Sequence, residues 1–131
     1  MSSRSPSQLA RADDVSVATV LPVLERLRAA VEAENREIAA RGRVDYRAHT
    51  QRKNQGLFEL SKLKGLIERA RRHPAIAAAF SDLAAKLDIN RRLLAAQLKA
   101  ARTVADIVAR AIRENQSDGT YSAYPWRDDL T

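Results

Sequence analysis

Two histidines are the side chains whose types and spacing come nearest to a catalytic or metal-binding pattern. His49 follows Asp45 by four residues, so a helix would place the two on one exposed face as an ion pair. His73 precedes Pro74, and at a helix end its imidazole would cap carbonyl groups. A di-metal site in a helical bundle needs a Glu three residues before each His, and neither histidine has one.

The remaining candidates for chemistry are equally weak. Glu32, Glu34 and Glu37 are expected to form a solvated acidic edge on a helix. The chain has no cysteine, which excludes thiolate metal sites and disulfides, and its four glycines form no phosphate-binding loop. We therefore expect no enzyme, no cofactor and no metal.

The positive charge is concentrated in one part of the chain. The formal net charge is +7, and residues 36–73 carry eleven Lys and Arg against four Asp and Glu. This segment could contact phosphates, which gives an alternative function as a basic helical nucleic-acid-binding protein, or it could contact an acidic protein. The first basic residues of this segment are Arg41, Arg43, Arg47, Arg52 and Lys53. Tyr46 is the sole aromatic residue among them, so they lack a base-stacking platform, which argues against nucleic-acid binding.

A long stretch from Ala75 to about Gln116 must position any partner-binding surface. It contains no Pro or Gly, and its apolar residues recur at spacings of three and four, which predicts one long amphipathic helix. From residue 94 the spacing becomes a strict heptad, typical of a coiled-coil seam. This seam is the predicted partner-binding site, and it consists of Leu94, Leu98, Ala101, Ala105, Val108 and Ile112.

Before residue 75, several residues indicate where helices begin, bend or end. Residues 1–12 are expected to be disordered, with a helix starting near Asp13 and Asp14 and continuing, with a kink, on both sides of Pro22. The polar stretch from residue 41 to 56 contains no Pro turn, which favours one helix bent near Gly42. Residues 71–75 form a predicted corner, because Pro74 disfavours helical geometry at the residue before it.

Together these signals predict an all-α fold, an antiparallel bundle of two or three long helices with a coiled-coil-like C-terminal helix. The bundle is expected over residues 13–116, followed by a flexible tail over 117–131 in which the aromatics from Tyr121 to Trp126 either anchor a partner or fold back. No apolar run approaches the ~20 residues of a membrane span. The start of the chain lacks an apolar leader. We expect a cytoplasmic monomer or homodimer without membrane insertion.

Several residues resemble those of the flagellar type III export chaperones of the FlgN type. They are the Leu57-Phe-Glu-Leu-Ser-Lys-Leu63 run before the corner, the Asn90-Arg-Arg-Leu-Leu94 run entering the C-terminal helix, and Ser117-Asp-Gly-Thr-Tyr121 after it. The resemblance covers about residues 20–122 and has no counterpart for the tail from Ser122 to Thr131.

The resemblance implies a non-catalytic chaperone that binds the C-terminal segment of flagellar hook-associated export substrates and delivers it to the export apparatus. In that family the cargo contact lies on the C-terminal amphipathic helix. Here that position falls on the seam from Leu94 to Ile112, which the residue spacing had already selected.

Overall fold

The computed structural model describes residues 5–117, apart from the side chain of Ala12. Four helices follow in order: α1 (Pro6–Ala39), α2 (Tyr46–Lys62), α3 (Lys64–Ala70) and α4 (Pro74–Ser117). Residues 5–117 contain no strand, which confirms the all-α prediction. No described helix is both long enough and apolar enough to cross a membrane. The tail predicted for residues 117–131 lies, beyond Ser117, outside the described residues.

Helix α1 begins at Pro6, which corrects the predicted start near residue 13. Ser5 forms a capping box with Gln8: its hydroxyl accepts from the Gln8 N–H at 3.3 Å, and its own N–H donates to Gln8 Oε1 at 3.0 Å. Proline at the first helical position has a φ angle already suited to a helix. These local devices start the helix although residues 5–11 are all exposed. The helix continues on both sides of Pro22, as predicted.

The prediction of one continuous helix across residues 41–56 is wrong. Helix α1 ends at Ala39, and Arg41 takes a positive φ of 57°, the left-handed conformation common just after a helix C-terminus. Helix α2 starts after Asp45, whose carboxylate accepts from the Ala48 N–H at 3.1 Å. An N-cap interaction of this kind satisfies an otherwise free donor of the first turn.

The predicted corner is confirmed. Helix α3 ends at Ala70, and the His73 N–H bonds the Ala70 carbonyl at 2.9 Å before α4 starts at Pro74. The role predicted for His73 needs correction. Its Nδ1 accepts a 3.1 Å hydrogen bond from the Ala75 N–H at the start of α4, so it caps a donor rather than carbonyls.

The chain divides into two units, residues 1–94 and 95–131. In the first unit, a core cluster joins all four helices. The fully buried members include Leu24, Leu27, Val31 and Ile76. The partly buried side chains packed against them come from both sides of the corner and include Leu60, Ile67, Phe80 and Leu87.

Interhelical bonds give the direction of each helix. From α1 to α2, Glu34 contacts Lys53 and Arg26 contacts Glu59, both at 2.7 Å, so the two helices are antiparallel. Between α1 and α4, Arg28 approaches Asp82 at 3.5 Å, and further along both helices Asn90 donates to Glu34. Helices α1 and α4 are therefore parallel. The unit is therefore an up-down-up bundle, with α2 and α3 forming the descending segment.

Candidate partner-binding face of the last helix

The second unit exposes the residues predicted to form the seam. Leu98 is 53% exposed, Val108 51% and Ile112 45%, and Ala101 and Ala105 are also exposed. We call these five residues the first row. Leu94, predicted to begin the row, belongs to the first unit and is half-buried. The first row is thus an apolar surface that no described residue buries.

Sequence reasoning missed a second exposed row on the same helix. Val104 and Ile107 are each 59% exposed, and Ala100 and Ala111 extend the row in both directions. At about 100° per residue, the two rows together cover about 180° of the helix circumference. Ala100, Val104, Ile107 and Ala111 recur at spacings of 4, 3 and 4, which is the same helical signal as that of the first row.

The earlier part of α4 is buried in the first unit. Ile76 is 0% exposed and Leu83 4%, and both belong to the core cluster. An average soluble helix carries one apolar stripe and buries it against its own core. Helix α4 therefore carries core residues such as Ile76 and Leu83 in the first unit and a row of exposed apolar residues beyond residue 94.

Asn90 is a buried polar residue at the centre of a hydrogen-bond network in the first unit. Its Nδ2 donates to Glu34 Oε1 at 2.7 Å and to Asn35 Oδ1 at 2.9 Å, and its Oδ1 accepts from Lys53 Nζ at 3.1 Å. Asn35 Nδ2 in turn donates to the Lys86 carbonyl at 3.1 Å. The network joins α1, α2 and α4, so it fixes how α4 is placed on the bundle.

One acidic and one basic residue of this network, Glu34 and Lys53, depart from their predicted roles. Glu34 is 1% exposed, so the solvated acidic edge predicted for Glu32, Glu34 and Glu37 is wrong at its middle member. Glu34 Oε1 pairs with Lys53 Nζ at 2.7 Å, and the Lys53 side chain is only 15% exposed. Lys53 is thus engaged within the bundle, unlike the four arginines of the basic segment, Arg41, Arg43, Arg47 and Arg52.

His49 is also buried, at 2% exposure, which overturns the exposed ion pair predicted with Asp45. Its Nε2 contacts a carboxylate oxygen of Glu37 on α1, whereas Asp45 caps α2. Its Nδ1 has no hydrogen-bond partner among the described residues. Within residues 5–117, no group of three or more His, Cys, Asp or Glu side chains is placed to hold a metal ion.

The four arginines of the basic segment are exposed. Arg41 and Arg43 lie in the connection between α1 and α2, and Arg47 and Arg52 lie on α2. None of the four forms an ion pair with another described residue. Arg47 and Arg52 are five residues apart, so they point in directions about 140° apart on the helix. The structure therefore presents these arginines over a wide surface rather than as one cluster.

A groove of about 430 Å³ runs between α1 and α4 in the first unit. Ala39, Ile89 and Leu93 supply its apolar lining, and Ile89 is 43% exposed. Glu32 and Arg36, which pair with each other at 3.0 Å, lie at its edge. The groove is open and mostly apolar, so it suits a protein side chain better than a polar small molecule.

Comparison of the chain with protein families, curated proteins and solved structures yields no match.

Proposed function

We propose that this protein is a non-catalytic export chaperone or adaptor that binds an amphipathic helix of its partner on the first row of α4. The observation that carries the proposal is the exposure of Leu98, Val108 and Ile112, each close to one half, on a heptad-spaced row. Exposed apolar patches of this kind mark interaction sites, and a partner helix is the standard occupant of an apolar row with this period.

The small residues within the row support a helix as the occupant. Ala101 and Ala105 are exposed and lie between the larger side chains of Leu98 and Val108. Short side chains let a second helix backbone approach closely, and the larger residues on either side then act as knobs against it. A bulky globular surface would leave this alternation of large and small residues unfilled.

The resemblance to the FlgN-type chaperones supports a particular partner. We propose that the occupant is the C-terminal segment of a flagellar hook-associated export substrate, held in the cytoplasm and passed to the type III export apparatus. A segment that is disordered when free would fold as a helix on α4, and the apolar burial would offset its loss of conformational entropy. Holding that segment would also prevent its premature assembly.

The test is capture of the C-terminal 50 or so residues of the organism's own hook-associated proteins by the purified full chain. Leu98→Asp combined with Val108→Asp places two charges in the first row and should abolish capture. Ala96→Asp combined with Thr103→Asp is the matched control, because it adds the same charge on the opposite side of the helix and should retain capture. Equal loss in both variants, or no capture by the unmodified chain, would overturn the proposal.

The alternative function is nucleic-acid binding through Arg41, Arg43, Arg47 and Arg52. Their exposure and lack of ion pairs with described residues favour it. Phosphate contacts release counterions, so such binding should weaken steeply with rising salt. A fluorescence-anisotropy titration with a 20-base-pair duplex at two salt concentrations distinguishes the two functions. Tight binding with a large salt slope, lost when the four arginines are changed to Gln, would replace the chaperone proposal.

A further inference from the structure

We infer that the partner helix carries acidic residues beside its apolar stripe, an inference that rests on the proposed function and specifies the chemistry of its ligand. The described part of the second unit contains four basic side chains and two acidic ones. The basic residues are Lys99, Arg102, Arg110 and Arg113, and the acidic residues are Asp106 and Glu114.

None of these six side chains forms an ion pair with a described residue. The contrast with the preceding turns of the same helix is direct. Arg91 and Arg92 both pair with Asp88, at 3.1 and 2.9 Å. Arg102 has Asp106 four residues on, at a spacing that permits a helical ion pair, yet the two do not form one. The cations of the second unit are thus available to a partner.

Two of these cations lie beside the first row. At about 100° per residue, Arg102 and Arg113 are within roughly 100° of the centre of the row, whereas Lys99 and Arg110 lie about 140° to 160° away. Long arginine side chains at such flanking positions reach the residues that border the stripe of a docked helix. The nearest complementary groups are carboxylates, which guanidinium groups bind through two parallel hydrogen bonds.

The charge pattern also disfavours two other occupants. A second copy of this helix would present its own excess of cations to Arg102 and Arg113, and like charges across an interface are repulsive. A basic partner helix would meet the same repulsion. An apolar stripe bordered by Glu or Asp therefore fits this surface better than a neutral, basic or self-derived helix.

The experiment uses the full chain and three synthetic 24-residue amphipathic peptides as probes. They share one apolar stripe of Leu and Ile and differ only in carrying Glu, Gln or Lys at the positions that border it. Binding is measured by fluorescence anisotropy at about 50 and 500 mM salt. We expect the Glu peptide to bind roughly three- to tenfold more tightly than the Gln peptide at low salt, and the difference to shrink at high salt, as for exposed ion pairs.

Two charge-reversed variants locate the effect. Arg102→Glu with Arg113→Glu should reverse the preference, so that the Lys peptide binds more tightly than the Glu peptide. Lys99→Glu with Arg110→Glu is the matched control, because its two sites are also eleven residues apart and its net charge change is the same. We expect the control to keep the preference for the Glu peptide, with circular dichroism showing equal helix content in both variants.

Each contrary result has a separate meaning. Equal affinity for the Glu and Gln peptides, or an equal effect of the two variant pairs, overturns the acidic-partner inference and leaves the proposed function standing. A self-association in sedimentation velocity that Val108→Asp abolishes also overturns it, because a second copy then covers the row. Failure of all three peptides to bind overturns the inference too, and the proposed function falls only if the hook-associated segments also fail to bind.

Discussion

Asn90 on α4 donates a 2.7 Å hydrogen bond to the carboxylate of Glu34 on α1, and both side chains are at most 4% exposed. Lys53 of α2 completes the contact by pairing with the same carboxylate oxygen at 2.7 Å. A buried carboxylate is costly unless a cation and hydrogen bonds compensate it. The relation between these residues therefore makes the placement of α4 depend on one residue from each of three helices.

Removing the cation from this network should destabilise the fold. We expect Lys53→Met to lower the free energy of unfolding by about 3 kcal/mol, because Glu34 stays buried without a positive partner. Changing Glu34 and Lys53 together to Met should recover part of that loss, because no buried charge then remains, although Asn90 loses its hydrogen bonds to both residues. Urea unfolding followed by circular dichroism measures both values. A double variant no more stable than Lys53→Met would contradict the expected cost of the unpaired Glu34 carboxylate.

Gly56 should not tolerate a side chain. A Cβ atom placed there would lie 2.9 Å from Leu27 Cδ1 and 3.1 Å from Leu27 Cβ, and Leu27 is only 1% exposed. We expect Gly56→Ala to lower the free energy of unfolding by about 1–2 kcal/mol, since overpacking outweighs the gain in helix propensity. Gly65→Ala is the control, because no described residue beyond its own helical turns lies within 4 Å of its Cβ position. It should be neutral or stabilising by up to about 1 kcal/mol.

The apolar residues of α4 should differ in their effect on stability. Leu83 is 4% exposed, so Leu83→Asp should cost at least about 4 kcal/mol or prevent folding, because it buries an unpaired charge. Leu98 is 53% exposed, and Leu98→Asp should cost no more than about 1 kcal/mol. Thermal and urea unfolding provide the comparison. Similar losses at the two positions would mean that the first row belongs to a core.

The capping box should hold the start of α1 without contributing to global stability. We expect Ser5→Ala to speed amide exchange in the first turns of α1 roughly fivefold, which corresponds to about 1 kcal/mol of local stability. The global unfolding midpoint should not change, since residues 5–11 are all exposed. Arg11→Ala is the control, because Arg11 is exposed and forms no hydrogen bond or ion pair with a described residue. Equal exchange in the two variants would exclude a capping role for Ser5.

The helical fold and the apolar core could be predicted because they depend on local periodicity. Leu24, Leu27 and Val31 recur at helical spacing, and all three are buried. The corner before Pro74 could be predicted for the same reason, because proline restricts its immediate neighbour whatever the rest of the chain does. The row after Leu94 could be selected from its heptad spacing, but its exposure could not be predicted, because exposure depends on which other elements cover the row.

The polar interior could not be predicted, because it depends on partners distant in sequence. Glu34 and His49 resemble exposed helical residues when each is compared only with its sequence neighbours. Their burial follows from Asn90, which is 56 residues from Glu34, and from Glu37 on the preceding helix. The break before Tyr46 is hidden for a different reason: the four-residue spacing pairs Asp45 with His49, although an aspartate before a helical segment is also a preferred N-cap.

The continuity of α4 affects how selectively a partner would bind. Starting a helix is the unfavourable step, and extending one is not. Residues 95–117 include seven alanines and continue a helix that begins at Pro74, so they become helical without a new nucleation step. An incoming segment would meet a pre-wound template, and the entropic penalty of ordering would fall on that segment alone. Differences among partners in their own tendency to become helical would then translate directly into differences in affinity.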